Sequence, residues 1–487
     1  MKIIKKSEIN LSVLEDWFKN AFDVEQTTKY FDGKKKTYSL ELFYCPYLVE
    51  LNVINDIIIP KIREETSENG EINFERITNL VGATSLKKDK DIKFQIEQKL
   101  FSGELVIYDN DSNQIYFIIA CNLPKRGPEE SNTETSVRGP RDGLVENISD
   151  NMALIRQRLK TTSFKNIEYS IGARSKTKVI LLYMDDIINP SILSEVQKRL
   201  ESFDIDILSS SVQLEEMLYD YPYSIFPLMD YIGRPDYVVE SLNQGRFAIL
   251  VDGNPSCIIG PTNVIQLMFT PEDLNNSFFY ISFVRILRVL AFVTTIFLPG
   301  FYVAVTAFHP EEIPFTLLAT IFTSRVGLPM SGTMEVFVMI TLFELFKEAG
   351  LRLPKAVGQT VAVLGGLIIG DAAIRAGLTS PSMLVIISLT VISGYTLINQ
   401  NLAGNLVILR YFVLTLSSFL GLYGFFISIF VIGLFVVSLE SFGQPYLSVF
   451  TLPTLSDLSR QFIRLPYKLL KKRNHYYNVK DTTRQKE

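Results

Sequence analysis

Small residues recur every four positions in one apolar stretch of the chain, and an acidic residue follows them. Gly358, Ala362, Gly366 and Gly370 share one helix face, because four residues make about one helical turn. Such a face lets a second backbone approach closely, as helices do inside membranes. Asp371 follows directly, and an ionisable group in or near a membrane is a candidate for ion passage.

Asp371 also has a purely local explanation. Arg375 lies four residues later, on the same side of a helix, where the two charges can form an ion pair. The sequence therefore supports two interpretations of this segment. Either the small face packs helices together and Asp371 pairs with Arg375, or the face and Asp371 line a pore.

Four other polar clusters are weaker candidates for chemistry. They are Val137–Arg141, which could hold a phosphate; Arg174, Lys176 and Lys178, which could face an anionic headgroup; Asp185 and Asp186; and His309–Glu312, which resembles a sparse metal site. Surface ion pairs, a solvated strand edge, a turn and a polar loop explain these clusters better.

Cysteine and histidine are too few and too scattered for a metal site. The three cysteines, Cys45, Cys121 and Cys257, argue against a disulfide framework, and His309 and His475 form no cluster. The sequence contains neither G-x-x-x-x-G-K-[ST] nor G-x-G-x-x-G. We therefore expect that the protein has no catalytic residue, cofactor or metal, and that it is not an enzyme.

The charge distribution divides the chain into two parts. With 48 Lys and Arg against 52 Asp and Glu, the net charge of −4 leaves no basic excess for a nucleic acid. Only 15 charged residues occur in the 170 residues from 283 to 452, against 85 in the other 317. Three runs without charge cover 289–308, 376–409 and 411–439. Each run is as long as, or longer than, the roughly 20 residues that a helix needs to cross the core of a bilayer. We expect a helical transmembrane domain over 283–452 with four to six spans.

Both ends of the chain are expected in the cytoplasm, which requires an even number of spans. The opening MKIIKKSEIN lacks the apolar core of a secretory signal. The tail at 453–487 is basic, with nine Lys and Arg against two Asp and Glu from Arg460 onward. Between the uncharged runs, the segment with Glu335 and Glu344 is either an interfacial helix or a span shielded by neighbouring protein.

The polar first part predicts two α/β subdomains. They cover 1–121 and 137–282, the second including the entry to the membrane, and 122–136 is a polar linker. Strands that alternate with helices are typical of α/β layers.

Particular patterns support this division. The runs Glu104–Tyr108 and Gln114–Ala120 flank an Asp-Asn-Asp-Ser-Asn turn and predict a hairpin. Lys178–Met184 is apolar on both faces and predicts a strand inside a covered sheet. Ile148–Leu159 and Pro190–Leu200 predict helices.

From about Val137 to Leu447 the chain resembles the A subunit of the GerA-type bacterial spore germinant receptors. The resemblance rests on VRGPRDGLVENISDNMALIRQRL at 137–159, RSKTKVILLY at 174–183, RPDYVVESLNQGRFAILVDGNP at 234–255, FHPEEIP at 308–314, FKEAGLRLPKAVGQ at 346–359, GGLIIGDAAIRAGLTSP at 365–381 and SFGQPYLS at 441–448. Two positions depart from the family: Val326 and Asp371 stand where it often has Glu and Gln.

This resemblance implies a cytoplasmic α/β region, a membrane domain in the spore inner membrane and partner subunits of the B and C types. It also implies a role in starting germination when a nutrient is sensed, directly or through the B-type subunit. We therefore interpret the chain as a receptor subunit in contact with membrane lipid, which oligomerises into, or gates, an ion-release channel. The alternative is a secondary transporter of a small solute, although no paired inverted repeat is visible. A membrane-bound enzyme acting on lipid or peptidoglycan is a weaker third interpretation.

Overall fold

The chain forms two antiparallel sheet units followed by a group of apolar helices. The computed structural model describes residues 10–19, 21, 23–34, 36–69, 83–84, 92–121, 139–351, 370–397, 399–447, 463–469, 471–473 and 475–484. Of these described residues, those from 10 to 121 build the first sheet unit, those from 139 to 277 and from 471 to 484 the second, and those from 278 to 351 and from 370 to 447 the helical region.

The first sheet unit is a five-stranded sheet with helices on both faces. Its strands are β1 (Glu25–Asp32), β2 (Thr37–Tyr44), β3 (Ala83–Thr84), β4 (Glu104–Asp109) and β5 (Gln114–Ile119), in the order β1-β2-β4-β5-β3. Its helices are α1 (Leu11–Phe18), α2 (Ile59–Asn69), entered through a π-helical turn at Val53–Ile58, and α3 (Ile92–Leu100). Successive residues of β4 face opposite sides, with Leu105 buried towards α2 and Val106 towards α1 and α3.

The second sheet unit has the same layered plan. Its strands are β6 (Phe164–Ile171), β7 (Thr177–Met184), β8 (Asp230–Ile232), β9 (Phe247–Val251) and β10 (Cys257–Gly260), in the order β6-β7-β9-β10-β8. Its helices are α4 (Ile148–Arg156), α5 (Pro190–Glu201), α6 (Ser211–Leu218) and α7 (Pro235–Asn243). Asn147 and Asn189 each accept a hydrogen bond from the backbone N–H two residues later, which fixes where α4 and α5 begin.

Strand β7 shows why the sheet is apolar on both faces. Ile180 and Leu182 pack with α4 and α7, while Val179 and Leu181 pack with α5 and α6. The predicted strand and the predicted β4–β5 hairpin are confirmed. All strand pairs in the described ranges are antiparallel, so the alternation of strands and helices does not produce parallel crossovers there. The predicted linker at 122–136 lies outside the described residues.

A buried ion pair joins the two sheet units. Asp23 of the first unit and Arg156 of the second have no exposed side-chain surface, and Arg156 Nε lies 2.8 Å from Asp23 Oδ2. Arg156 also donates from Nη2 to Asp23 Oδ1 at 3.1 Å and from Nη1 to the Thr161 carbonyl at 2.8 Å. Its guanidinium carbon lies 3.5 Å from the centre of the Phe101 ring. Burial raises the pKa of Asp23 and the Arg156 charge opposes this shift, so each charge depends on the other.

The helical region contains two helices that are long and apolar enough to cross a membrane, within the described ranges. One is α8 (Phe278–Val303) with its π-helical continuation to Phe308, and the other lies within α12 (Gln400–Ser438). Between them are α9 (Phe315–Ser324), α10 (Gly332–Leu351) and α11 (Pro381–Tyr395), of which α9 and α11 are apolar but shorter. The division expected from charge, a sheet-containing region followed by an apolar helical one, is confirmed; the number of spans stays a prediction.

Helix α12 is a hairpin of two arms. Gly421 breaks it with φ of 60° and ψ of −138°, a backbone conformation that glycine adopts readily. Leu406 of the first arm and Val436 of the second belong to one buried cluster, so the arms lie side by side. At 1.5 Å per residue each arm is roughly 25 to 32 Å long, close to the thickness of a bilayer core.

The C-terminal tail returns to the second sheet unit. Tyr476 and Tyr477 are buried in the core that α4 and α7 form on the sheet. Lys480 donates its backbone N–H to the carbonyl of Ile187 at 2.9 Å, and Arg473 Nε donates to the carbonyl of Asn243 at 2.8 Å. The basic tail therefore contains a segment that completes a sheet core.

Asp23→Asn is expected to lower the free energy of unfolding by about 3 kcal/mol. The reason is that Arg156 would keep a buried charge without a counter-charge. Trp17, the only tryptophan, packs in the first sheet unit, so its fluorescence during urea unfolding measures the change.

Lys36→Met is the matched control, because it removes an exposed ion pair with Asp111 at 3.2 Å. Exposed pairs contribute less than about 1 kcal/mol. Equal unfolding midpoints for the two variants would show that the buried pair does not hold the units together.

Candidate functional site

One segment of the second sheet unit contacts both ends of the α12 hairpin. We call residues 219–230 the coupling segment; it leaves the end of α6 and runs into β8. Asn405, in the first arm, donates from Nδ2 to the carbonyl of Ile225 at 2.7 Å. Tyr446, beyond the second arm, donates from its hydroxyl to the carbonyl of Pro227 at 3.0 Å. Both ends of the hairpin are therefore held on the same stretch of the sheet unit.

Asp230 is the buried charge at the end of the coupling segment. It is 4% exposed, and its carboxylate accepts from the Tyr237 hydroxyl and from Asn399 Nδ2, each at 3.2 Å. Arg246 supplies the opposite charge, with Nη1 3.8 Å from Asp230 Oδ2. Burial raises the pKa of Asp230, and the Arg246 charge opposes the shift.

Arg246 is positioned by the turn that ends α7. Gly245 has φ of +93°, the left-handed conformation that commonly stops a helix, and it leads the chain into β9. Arg246 is 1% exposed and donates from Nε to the carbonyl of Pro261 at 2.9 Å. The sheet thus holds the cation that Asp230 requires.

Asn399 uses both ends of its side-chain amide. Its Oδ1 accepts from the backbone N–H of Leu402 at 2.9 Å and so caps the start of α12. Its Nδ2 donates to Asp230. One side chain therefore both begins the apolar hairpin and bonds to the sheet unit.

The second end of the hairpin is held by a short β-turn structure. Here β11 (Glu440–Ser441) pairs with β12 (Gln444–Pro445). Ser441 Oγ donates to the carbonyl of Leu228 at 2.8 Å, and the backbone N–H of Phe442 donates to Asp220 Oδ2 at 2.7 Å. The Phe442 ring packs edge-on to Phe247 of β9, with centres 4.9 Å apart.

Glu215 on α6 is a second buried acid beside the coupling segment. It is 2% exposed, and the Tyr219 hydroxyl donates to its Oε1 at 2.5 Å. Its other oxygen, Oε2, has no hydrogen-bond partner. Burial raises the pKa of Glu215 to about 7, so this group changes charge near neutral pH.

Glu335 is buried among the apolar helices. Its Oε1 accepts from Thr379 Oγ1 at 2.8 Å and from the backbone N–H of Ser380 at 2.6 Å. Arg325 Nε lies 3.8 Å from Oε2, and neither atom has a hydrogen-bond partner. Because Ser380 caps α11, the carboxylate lies at the positive end of that helix. The hydroxyl of Ser382, 3.3 Å from that of Ser380, lines an apolar cavity of about 400 Å³ between α8, α9 and α11.

Glu344, further along α10, meets a buried arginine of α12. Arg410 Nη2 donates to Glu344 Oε1 at 3.1 Å, and the Arg410 side chain is 4% exposed. Two other nitrogens of Arg410, Nε and Nη1, have no partner. Glu335 and Glu344 of this helix are therefore both paired with polar groups of neighbouring segments, whereas Glu348 is exposed. Whether this helix spans a membrane stays a prediction.

The small-residue face that the sequence singled out falls mostly outside the described residues. Gly358, Ala362 and Gly366 lie there, whereas Gly370 is described. A Cβ added to Gly370 would lie 3.0 Å from Leu384 Cδ2, so α11 approaches it closely. Arg375 Nε lies 2.8 Å from Asp371 Oδ2, with side chains 79% and 60% exposed. Whether Asp371 also serves an ion path stays a prediction.

Residues of three weaker candidates form separate local pairs, and in the fourth, Val137–Arg141, Val137 and Arg138 lie outside the described residues. The distances are 3.7 Å for Arg174–Asp206, 3.1 Å for Lys178–Glu168, 2.9 Å for Lys165–Asp185 and 3.2 Å for His309–Glu311. The part of the chain that is described has no group of three or more His, Cys, Asp or Glu side chains able to hold a metal.

Sequence reasoning missed the contact between Asp230 and Asn399. Asn399 lies in a polar cluster with Gln400, Asn401 and Asn405 inside the uncharged run 376–409, which was the available signal. Asp230 gave none, because its partner lies 169 residues away.

Fold and site together define a protein whose second sheet unit is hydrogen-bonded directly to an apolar helix of membrane-crossing length. Residues 12–476 match the family described as Bacillus/Clostridium GerA spore germination protein. The chain therefore belongs to the GerA family, and the resemblance drawn from its motifs is confirmed.

Two relatives agree with this membership through their sequences. Spore germination protein XA of Bacillus anthracis is 41% identical over 481 residues, covering 98% of both chains. Spore germination protein B1 of Bacillus subtilis (strain 168) is 33% identical, covering 91% of this chain and 92% of that protein. The crystal structure of the N-terminal domain of the A subunit of the Bacillus megaterium spore germinant receptor GerK3 matches 53% of this chain and 96% of that chain, at 23% identity and a TM-score of 0.39.

The protein is expected to lose stability as the pH rises towards 7, through Glu215. Its pKa of about 7 lies above the ordinary value of 4.5, so the folded state holds the proton more tightly. The resulting stabilisation is complete below the ordinary pKa and is lost as the pH rises through the folded one. At 1.36 kcal/mol per unit of pKa, the loss is about 3 kcal/mol.

Thermal unfolding at about pH 5 and about pH 8 measures this effect. Glu215→Gln resembles the protonated acid, so its melting temperature should depend less on pH than that of the unsubstituted protein. The same pH dependence in both proteins would rule out Glu215 as the source.

Proposed function

We propose that this protein is the A-type subunit of a nutrient germinant receptor in the spore inner membrane. It acts with B-type and C-type subunits, responds to a nutrient and triggers germination. In this role it oligomerises into, or gates, an ion-release channel. Membership of the GerA family, and the names of the relatives described above as spore germination proteins, support this role in germination.

The observation that carries the proposal is the bond between Asp230 and Asn399. A receptor must transmit a change in one domain to its membrane helices. Here a buried carboxylate of the second sheet unit bonds to the partly buried residue that caps the apolar hairpin. A shift of β8 would therefore act on the start of α12.

A multi-pass arrangement with both termini in the cytoplasm agrees with the packing of the tail. Tyr477 is buried in the second sheet unit, so the tail and the sheet lie on the same side of any membrane. Helix α8 starts near the sheet, where Arg288 Nη1 donates to the carbonyl of Met268 at 2.9 Å. Its far end meets the hairpin turn, since a Cβ on Gly421 would lie 2.9 Å from Phe308. An even number of crossings follows from this proposal.

The ion path in this proposal uses the segment around Gly366 and Asp371. Close packing of the small-residue face in an oligomer would bring several copies of Asp371 together. Glu335 and Arg410 each have polar atoms without a hydrogen-bond partner inside the helical region. Buried charged groups of this kind often mark ion pathways in membrane proteins, which supports the proposal.

Asn399→Ser tests the coupling. Serine caps a helix well, but its side chain is too short to keep the bond to Asp230 as well. The nutrient for this test is one to which spores no longer respond when the gene is deleted. Spores carrying Asn399→Ser should contain normal amounts of the subunit, but with this nutrient they should release ions and germinate more slowly. Asn401→Ser is the control, because Asn401 lies two residues further along the chain and makes no bond to the sheet unit among the described residues.

A normal response in Asn399→Ser would remove the coupling role. A deletion strain that germinates normally with every nutrient in a panel would count against the receptor role itself.

Asp371→Asn tests the ion path. If Asp371 lines it, removing the charge should alter ion release or selectivity while subunit abundance stays normal. If Asp371 only pairs with Arg375, abundance should fall modestly or not at all, because an exposed pair contributes less than about 1 kcal/mol. Gly366→Leu tests the small-residue face. The larger side chain should either separate the helices, so that less crosslinked oligomer forms, or leave assembly intact and block ion release. Normal ion release and oligomer yield in both variants would exclude the pore.

A further inference from the structure

We propose that residues 219–227 form a membrane-contact loop whose tyrosines insert into the phospholipid headgroup layer around the α12 hairpin. The partner is the lipid surface itself. The proposal rests on the proposed function only in taking α8 and α12 as membrane-spanning helices.

The position of the loop follows from the hairpin residues that it contacts. Asn399, at the start of α12, bonds to Asp230, whereas Asn405, six residues further on, bonds to the carbonyl of Ile225. Six residues rise about 9 Å along a helix. The loop therefore runs up beside the first arm, over a stretch that is still polar, with Gln400, Asn401 and Asn405. A polar base beneath a long apolar arm is the level of the headgroups.

A fixed turn presents the tyrosines. The backbone N–H of Ser224 donates to the carbonyl of Tyr221 at 3.1 Å, and Pro222 occupies the second position of this turn, where proline is favoured. Ser224 Oγ donates to the carbonyl of Phe226 at 2.7 Å. Tyr223, at the third position, is 96% exposed, and Tyr221 is 43% exposed.

The loop is anchored at both ends, so this exposure does not come from a loosely held segment. Phe226 is 1% exposed, and its ring centre lies 6.1 Å from that of Phe435 and 6.0 Å from that of Tyr446. Asp220 is fixed by Arg199 Nη2 at 2.5 Å and by the N–H of Phe442.

Tyrosine suits this position because it has an apolar ring and a polar hydroxyl, and it is enriched where membranes meet water. The start of α8 also carries exposed aromatic residues, the tyrosine Tyr280 at 59% and its neighbour Phe279 at 75%. A fixed and almost fully exposed Tyr223 thus continues an aromatic belt around the entry of the helices.

Bromolipid quenching in nanodiscs tests the loop in the full-length chain. In a Trp17→Phe background, a single tryptophan replaces Tyr223, and matched variants carry it at Leu290, halfway along α8, or at Tyr30 on β1. All three positions are strongly exposed, at 96%, 61% and 69%. We expect Tyr223→Trp to lose emission to bromines near the headgroups, Leu290→Trp to lose it to bromines deep in the acyl chains, and Tyr30→Trp to keep it.

The three positions separate the ways in which the proposal can fail. Quenching of Leu290→Trp without quenching of Tyr223→Trp would overturn the loop contact and leave the membrane assignment intact. Tyr223 would then be available to a protein partner. If neither variant were quenched, the membrane assignment would fail and the loop contact with it.

Discussion

The way in which the sheet and the helices meet depends on one carboxylate that is cut off from water. A buried charge is tolerated only when it is paired and hydrogen-bonded, because an unpaired one costs several kcal/mol. The partners of Asp230 come from three separate places in the chain: Tyr237 from α7, Arg246 from the turn just before β9 and Asn399 from the start of α12. Displacing any of these elements leaves the charge short of a partner. The start of the hairpin and the edge of the sheet are therefore constrained to move together.

The same constraint recurs at the other junctions of the chain. Asp23 and Arg156 join the two sheet units, and Glu335 joins α10 to the beginning of α11. In each case the acid and its partners come from segments that are far apart in sequence or separated by a turn. Apolar surfaces pack in many similar ways, whereas a buried acid accepts few arrangements of its donors. Each acid thus fixes the relative position of the elements that meet there.

Local patterns were sufficient for individual elements but not for these junctions. The β4–β5 hairpin and β7 could be predicted because the turn residues and the apolar pattern of a strand lie within a few positions of each other. The pairing of Asp23 with Arg156 spans 133 residues, and no periodicity of either segment points to the other. The break at Gly421 was also hidden, because an uncharged run from 411 to 439 looks continuous and contains further glycines at 424 and 433. The receptor role came from the long family motifs and not from any local pattern of charge or apolar residues.

The docked tail has a consequence for how the protein is made. The core of the second sheet unit contains Tyr476 and Tyr477, which leave the ribosome more than two hundred residues after β9 and β10. Part of the core of this sheet therefore stays exposed until the helical region has been synthesised and the tail packs against the sheet. Contacts of such long sequence separation form late in folding. The core of this sheet unit can therefore close only if the chain between β10 and the tail is arranged so that the tail reaches the sheet. A wrongly inserted chain would keep an uncovered sheet that is prone to aggregate.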